Sequence, residues 1–148
     1  MLVVASDHAG FALKQQIIRG LTKMGLKFED LGPSKFDRED DYPIFAAAVS
    51  KRVRRQTDDR GILICRSGNG MAIAANKFSG IRAALVWNEQ SAKMASLEGN
   101  SNILVLPAKF VNSTLAQKLI QIWLSTPFRR IPRYRRRLGQ IARIEHFN

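Results

Sequence analysis

Cys65, the only cysteine in the chain, ends the apolar run Gly61-Ile-Leu-Ile-Cys65. Arg66-Ser-Gly-Asn-Gly70 follows it, and then Met71-Ala-Ile-Ala-Ala-Asn-Lys77. A short apolar run of this kind reads as a buried strand, the glycine-rich run as a turn, and the last segment as a helix. A thiol is thereby placed at the carboxyl end of a strand, beside backbone amides that open a helix. Such amides converge, and the helix dipole adds partial positive charge, so the loop suits an oxyanion. A base beside an oxyanion site is the layout of proton-transfer chemistry. A helix start lowers a thiol pKa from its usual value near ~8.5. Arg66 adds positive charge next to the thiol, unless its side chain points to solvent. The plain alternative for Cys65 is a small apolar core residue.

A second polar cluster, Ser6-Asp7-His8-Ala9-Gly10, follows the first apolar run. Its carboxylate and imidazole could hold sugar hydroxyls and an anion; equally, Asp7 could simply cap the helix that starts near Gly10. Ser67-Gly-Asn-Gly70 lacks the Gly-Lys-Ser/Thr ending of a P-loop and the spacing of a dinucleotide fingerprint, so it fits one small oxyanion. Asp37, Glu39, Asp40 and Asp41 cluster, but not at calcium-loop spacing, and they read as a solvated loop. With His146 the only other histidine, the sequence offers no metal-ligand cluster, and neither metal nor cofactor is expected.

The elements that position these groups alternate. Strands are predicted over 2–6, 26–31, 61–65, 81–87 and 103–106. Helices are predicted over 11–24, 43–53, 71–77, 90–97, from a cap at Asn112 or Ser113 to 124, and 133–144. Strand and helix alternate five times at βαβ spacing, which argues for a parallel sheet with helices on both faces. The fold class is α/β, a Rossmann-like three-layer αβα sandwich with five parallel strands, in one domain over 1–148. Ligands in such folds sit beyond the carboxyl ends of the strands. Glu98–Asn102, just before the fifth strand, lies at the wrong end unless its helix projects back over the site.

At 148 residues the chain is large enough to bury its own core. It has no apolar run of the ~18 residues that a membrane span needs. A lone cysteine excludes an intrachain disulfide, so a cytoplasmic setting is the default expectation. The net charge of +12 is unevenly spread. Seven arginines (129, 130, 133, 135, 136, 137 and 143) face one acid, Glu145, within residues 128–148, whereas six of the twelve acids fall between Glu29 and Asp41. Such a basic tail reads first as a solvated surface, then as an anion site, and only third as a nucleic-acid patch.

Together these motifs resemble the RpiB/LacAB family of sugar-phosphate isomerases, and within it the branch of ribose-5-phosphate isomerase B. The likeness covers nearly the whole chain: Ser6-Asp7-His8-Ala9-Gly10, Asp41-Tyr42-Pro43, Gly61–Cys65 with Ser67–Gly70 and Ile73–Lys77, Gly80-Ile-Arg-Ala-Ala84, Ser91-Ala-Lys93, Asn102-Ile-Leu-Val and the arginine-rich end. The resemblance implies interconversion of ribose 5-phosphate and ribulose 5-phosphate. Cys65 would be the base that moves a proton between C2 and C1, with Ser67 beside the developing enediolate oxygen. The amides of Gly68, Asn69, Gly70 and Met71 would form the anion hole. Asp7 would hold a sugar hydroxyl, Tyr42 would line the pocket, and His8 would contact phosphate. Arg133 and Arg137 match two phosphate arginines, and Lys109 stands where a third arginine is usual. In the family these basic groups come from the neighbouring subunit. That implies a homodimer with shared sites, or a tetramer built from it, with the helix at about 132–145 packing on the partner.

Several positions depart from the family pattern. Arg66 replaces a glycine. Glu98-Gly99 stands where the family has His-Asn; that histidine opens the furanose ring and the asparagine holds a substrate oxygen. Asn100 lies one residue away, and Glu98 could act only with a raised pKa. Tyr134 replaces a frequent histidine. These departures keep two alternatives open: the same mechanism on another phosphosugar, such as a tetrulose phosphate or allose 6-phosphate, and a non-catalytic sugar-phosphate or RNA-binding relative. The RNA reading lacks a visible aromatic stacking platform and ranks last.

Overall fold

Five parallel strands form one sheet in the order β2-β1-β3-β5-β4. They are β1 (Leu2–Ser6), β2 (Phe28–Asp30), β3 (Arg60–Cys65), β4 (Ala83–Leu85) and β5 (Ile103–Pro107). The helices are α1 (Phe11–Lys23), α2 (Tyr42–Arg55), α3 (Asn69–Ala75), α4 (Glu89–Leu97), α5 (Ser113–Ser125) and α6 (Pro132–Phe147). The structure, a computed structural model, describes residues 1–147.

The three central strands are apolar on both faces, as strands covered on both sides must be. Val4, Ile62, Ile64, Leu104 and Leu106 face Leu13, Ile17 and Leu21 of α1, Ala92 of α4, and Ala116, Leu119 and Trp123 of α5. Val3, Ala5, Leu63, Cys65, Ile103 and Val105 face Ala46, Val49 and Val53 of α2 and Met71 and Ala75 of α3. The three-layer sandwich expected from the alternation is thus observed, with the Cys65 side chain on the α2/α3 face.

The two edge strands are shorter than predicted. β4 pairs on one side only, with β5, and a side chain takes its outer amide, Ala83 N–H donating to Asn76 Oδ1 at 2.8 Å, while just before the strand Arg82 N–H donates toward β5, to Asn102 Oδ1 at 2.8 Å. β2 likewise pairs only with β1 and gives way to a loop at Gly32-Pro33, a cis peptide. Of the two candidate caps for α5 it is Asn112 that serves, its side chain accepting from Leu115 N–H at 2.9 Å.

A polar network closes the amino end of the sheet. The Arg60 guanidinium stacks 3.9 Å from the Trp123 ring centroid and donates to Ser96 Oγ at 3.1 Å and Ser101 O at 3.2 Å. The Trp123 indole donates to Ser101 Oγ at 2.8 Å, and Ser96 Oγ donates to Trp123 O at 2.7 Å. Burial alone pulls the Arg60 pKa down, so the stack and the hydrogen bonds must hold this cation in place. Arg60→Ala would leave these acceptors without their donor and open a gap against Trp123. We expect a loss of roughly 2–4 kcal/mol in urea unfolding; a loss below about 0.5 kcal/mol would show that the network is idle.

Candidate functional site

Strand order reverses direction between β1 and β3. The chain leaves β1 toward β2 on one side and leaves β3 toward β4 and β5 on the other. The crevice beyond their carboxyl ends is therefore the switch point where ligands bind in such sheets. Two loops meet there, 7–10 after β1 and 66–68 after β3. Asp7 N–H donates to Ile64 O at 3.2 Å. A Cβ on Gly10 would lie 2.5 Å from the same carbonyl, so only glycine allows this approach. Asp7 Oδ1 accepts from Gly10 N–H at 3.0 Å, but Gly10 is itself the N-cap of α1 and no side chain caps that helix, so Asp7 fastens the turn that precedes the helix rather than capping it.

Cys65 is buried, and its Sγ accepts from Gly68 N–H at 3.2 Å. Gly68 takes φ +80, a conformation that turns the loop sharply into α3. Burial is the dominant influence on the thiol and pushes its pKa up; amides of Met71, Gly68 and Ser67 pull the other way, and Asp7 adds to the rise. This corrects the expectation that the helix start would prevail. Arg66 is exposed and does not figure among the influences on the thiol. The loop amides also have local duties: Gly68 serves the sulfur, and Asn69 N–H donates to Ser67 Oγ at 3.3 Å. Tyr42, the first residue of α2, lies so close over Gly70 that a Cβ there would be 2.5 Å from its ring. Tyr42 and Gly70 thus meet on the α2/α3 side of the crevice, whereas the Met71 side chain is buried in the core.

His8 brings in a residue that sequence reasoning missed. Its ring Nδ1 lies 2.7 Å from Asp40 Oδ1, and the same oxygen accepts from His8 N–H at 2.9 Å. The hydrogen bond to Asp40 is the first cause of a raised His8 pKa, with Asp7 assisting. In sequence Asp40 reads, like its acidic neighbours, as part of a solvated loop. Its side chain is only 6% exposed, delivered by a turn in which Asp40 N–H donates to Asp37 O and Glu39 N–H to Asp37 Oδ1.

The remaining predicted residues divide into two places. Lys109 follows β5 at the crevice end, its N–H donating to Arg66 O at 3.0 Å. It lines an open cleft of about 710 Å³ with Ala9 and Gln16. Glu98, Arg133 and Arg137 lie elsewhere. Glu98 follows α4 at the amino end of β5, and Tyr134 O–H donates to it at 3.3 Å. α6 runs beneath this end as far as Glu145, which accepts from Gly80 N–H at 2.9 Å. Strands of this length separate the two ends by roughly 15 Å, so Glu98 does not meet Cys65 within one chain. Asn100, the other candidate substitute, is used locally: it takes φ 44 where α4 ends, and its carbonyl accepts from Arg82 Nε–H at 2.8 Å. Among the described residues no three His, Cys, Asp or Glu side chains are grouped to hold a metal ion, and no helix is long and apolar enough to cross a membrane.

Burial is also the largest influence on Asp7 and raises its pKa, against the Gly10 amide and His8. A carboxyl raised on folding contributes most stability below its ordinary value of 3.8 and loses it as pH rises through the folded value. The ionised form therefore opposes folding at neutrality. Asp7→Asn keeps an acceptor for Gly10 and removes the charge. It should raise Tm at pH 7, with the gain vanishing below about pH 4, while impairing any activity that needs the carboxylate. An unchanged or lower Tm at pH 7 would contradict this account.

Comparison with known proteins matches this geometry. The sequence pattern of the Ribose/Galactose Isomerase family spans residues 2–141. Ribose-5-phosphate isomerase B of Mycolicibacterium paratuberculosis is 37% identical over 96% of this chain and 89% of its own length. The crystal structure of ribose-5-phosphate isomerase B from Mycoplasma genitalium, with bound ribulose-5-phosphate, superposes with a TM-score of 0.94 at 40% identity, covering 99% of this chain and 97% of that one. A ribose 5-phosphate isomerase from Thermotoga maritima gives 0.92 at 39% identity, covering 96% and 97%. The carboxyl-edge crevice is thus set in a fold and a sequence pattern shared along nearly the whole length, and the chain belongs to the ribose/galactose isomerase family, RpiB/LacAB.

Proposed function

We propose that this chain is an aldose–ketose isomerase that interconverts ribose 5-phosphate and ribulose 5-phosphate by proton transfer through an enediolate. The observation that carries this reading is the placement of a buried thiol and Asp7-His8 at one switch-point crevice, in a fold whose Mycoplasma genitalium relative holds ribulose-5-phosphate. The Cys65 thiolate removes the proton from C2 of the open-chain aldose. The C2–H electrons form the C1–C2 double bond, and the carbonyl π electrons move onto O1. The O2 hydroxyl proton passes to O1; the O2 electrons then close the C2 ketone while the C1–C2 π electrons take the proton back from the thiol at C1. Ser67 donates to the developing oxyanion together with loop amides, a form of stabilisation that acts where charge appears. Asp7 orients a hydroxyl, Tyr42 lines the pocket, and His8 meets the phosphate. Because burial raises the thiol pKa, the thiolate is the minority form at neutrality but a stronger base once formed.

One chain does not gather all the groups. Arg133 and Arg137 belong to α6, at the opposite end of the sheet from Cys65. Tyr134 is the buried residue of α6, while Ile141, Ile144 and Phe147 are 44%, 62% and 80% exposed. A two-fold dimer that lays α6 across the partner would bury this apolar face and carry both arginines to the partner's crevice. Lys109 already stands at the crevice end of its own chain. The lone buried thiol suits a reducing cytoplasm.

A second reading has its own support: Glu98 is held by Tyr134 rather than free to shuttle a proton for ring opening. Substrates that cannot close a ring, such as a tetrulose phosphate, would not need it. Ribose 5-phosphate, allose 6-phosphate and erythrulose 4-phosphate offered in parallel decide between them. Exclusive turnover of the four-carbon substrate would favour the second reading, and Glu98→His should then gain activity on ring-forming sugars alone.

Cys65→Ala should lose on the order of 10²–10⁴-fold in kcat; full activity would remove Cys65 as the base. Mixing inactive Cys65→Ala with inactive Arg137→Ala should restore roughly a quarter of native activity, since half of the dimers are mixed and each has one intact site. No recovery after subunit exchange would rule out shared sites.

A further inference from the structure

We propose that Asp40 is a positioning residue for phosphate recognition: by gripping Nδ1 of His8 it aims the opposite ring donor, Nε2–H, at a phosphate ester in the crevice. The proposal rests on the phosphosugar reading above and adds to it a residue that the motif containing His8 does not include. Asp40 lies 32 residues from His8 in sequence, so the contact is a product of the fold.

Three features separate this pair from an incidental surface ion pair. First, one oxygen, Asp40 Oδ1, takes both the ring Nδ1 at 2.7 Å and the backbone N–H of His8 at 2.9 Å. The ring rotation and the Asp7–Gly10 turn are thereby fixed by a single anchor. Second, the Asp40 side chain is 6% exposed while that of His8 is 35% exposed, so the carboxylate is sealed and the imidazole reaches the crevice. Third, Asp40 Oδ2 is buried and has no hydrogen-bond partner among the described residues. With both observed donors to this carboxylate coming from His8, the imidazolium is the cation that compensates it, and a sealed charge depends strongly on such a partner.

The charged groups acting on the ring are Asp40 and Asp7, both of which favour its cationic form. The Phe36 ring packs edge-on 6.3 Å away, and Lys109 lines the cleft beside Ala9. With Nδ1 engaged, Nε2 is the free donor. A carboxylate behind the imidazole and a phosphate in front of it give a relay of charge-assisted hydrogen bonds. Such a hydrogen bond is present while the ring is protonated and is lost as pH rises through the folded His8 pKa. The other end of the phosphate is left to the arginines and Lys109.

The chain has only two histidines, so 1H–15N correlation of the imidazole nitrogens can follow His8, with His146→Gln supplying the assignment. In the native protein the His8 midpoint should lie above the ordinary histidine value of 6.5, and inorganic phosphate should raise it further. Asp40→Asn should lower the His8 midpoint and abolish the response to phosphate. With ribose 5-phosphate it should raise KM roughly tenfold with kcat little changed. Asp40→Glu, which keeps the carboxylate, should recover part of both effects and gives a second readout should the amide variant fold poorly. In a His8→Gln background Asp40→Asn should change KM no further. An unmoved His8 midpoint in Asp40→Asn, no phosphate response in the native protein, or a KM effect that persists without His8 would each overturn the proposal. If phosphate shifts His8 as expected but no sugar phosphate is isomerised, the pair stands and the catalytic reading falls.

Discussion

The candidate crevice depends on one close contact, the passage of the turn after β1 over the last carbonyls of β3. Ile64 O receives the amide of Asp7 and sits where any side chain on Gly10 would have to go. This contact ties Asp7 and His8 to Cys65 without any direct bond between their side chains. It also sets the start of α1, whose apolar stripe of Leu13, Ile17 and Leu21 packs on the same strands. Displacing the turn would therefore disturb core packing and site geometry at once. The pairing of β1 with β3 along their whole length, Leu2 opposite Arg60 through Ser6 opposite Ile64, puts both loop origins at the same height.

The electrostatics of the crevice are a contest between desolvation and hydrogen bonding. Burial raises the thiol of Cys65 and the carboxyl of Asp7, and amides only partly oppose it. At His8 a carboxylate prevails over desolvation and the cation is favoured. One small volume therefore holds two acids reluctant to ionise beside an imidazole inclined to stay charged. This separation of protonation preferences is what an acid–base site requires.

Much of this was legible in the sequence because the relevant signals are local. The apolar run to Cys65, its glycine turn and the following helix occupy seventeen consecutive residues, and the period changes from strand to helix within them. The alternation of elements gave the layers as well. What escaped were effects that only the fold creates. Asp40 looks like its neighbours Asp37, Glu39 and Asp41, and nothing local marks it as the one that turns inward to His8. The thiol pKa was misjudged because residue order reveals a helix start, whereas the extent of burial depends on α2 and α3 closing over Cys65. The ends of β2 and β4 were overextended because apolar residues continue past the last paired position, and only the sheet edge decides where pairing stops.

The slight attachment of α6 to its own chain has a kinetic meaning. Cys65 lies on a central strand, paired on both sides, and opens only when the sheet does. α6 is held by one buried side chain, Tyr134, whose hydroxyl donates to Glu98, and by Glu145, which accepts from Gly80 N–H and Ser79 Oγ. Local unfolding of such a unit costs far less than global unfolding. The proposed proton-transfer apparatus and the proposed phosphate grip therefore reside in parts of very different cooperativity. The first is ordered for as long as the protein is folded. In the two-fold dimer proposed above, the second would be ordered in proportion to what covers it, and the supply of working sites would then be sensitive to dilution in a way that the fold itself is not.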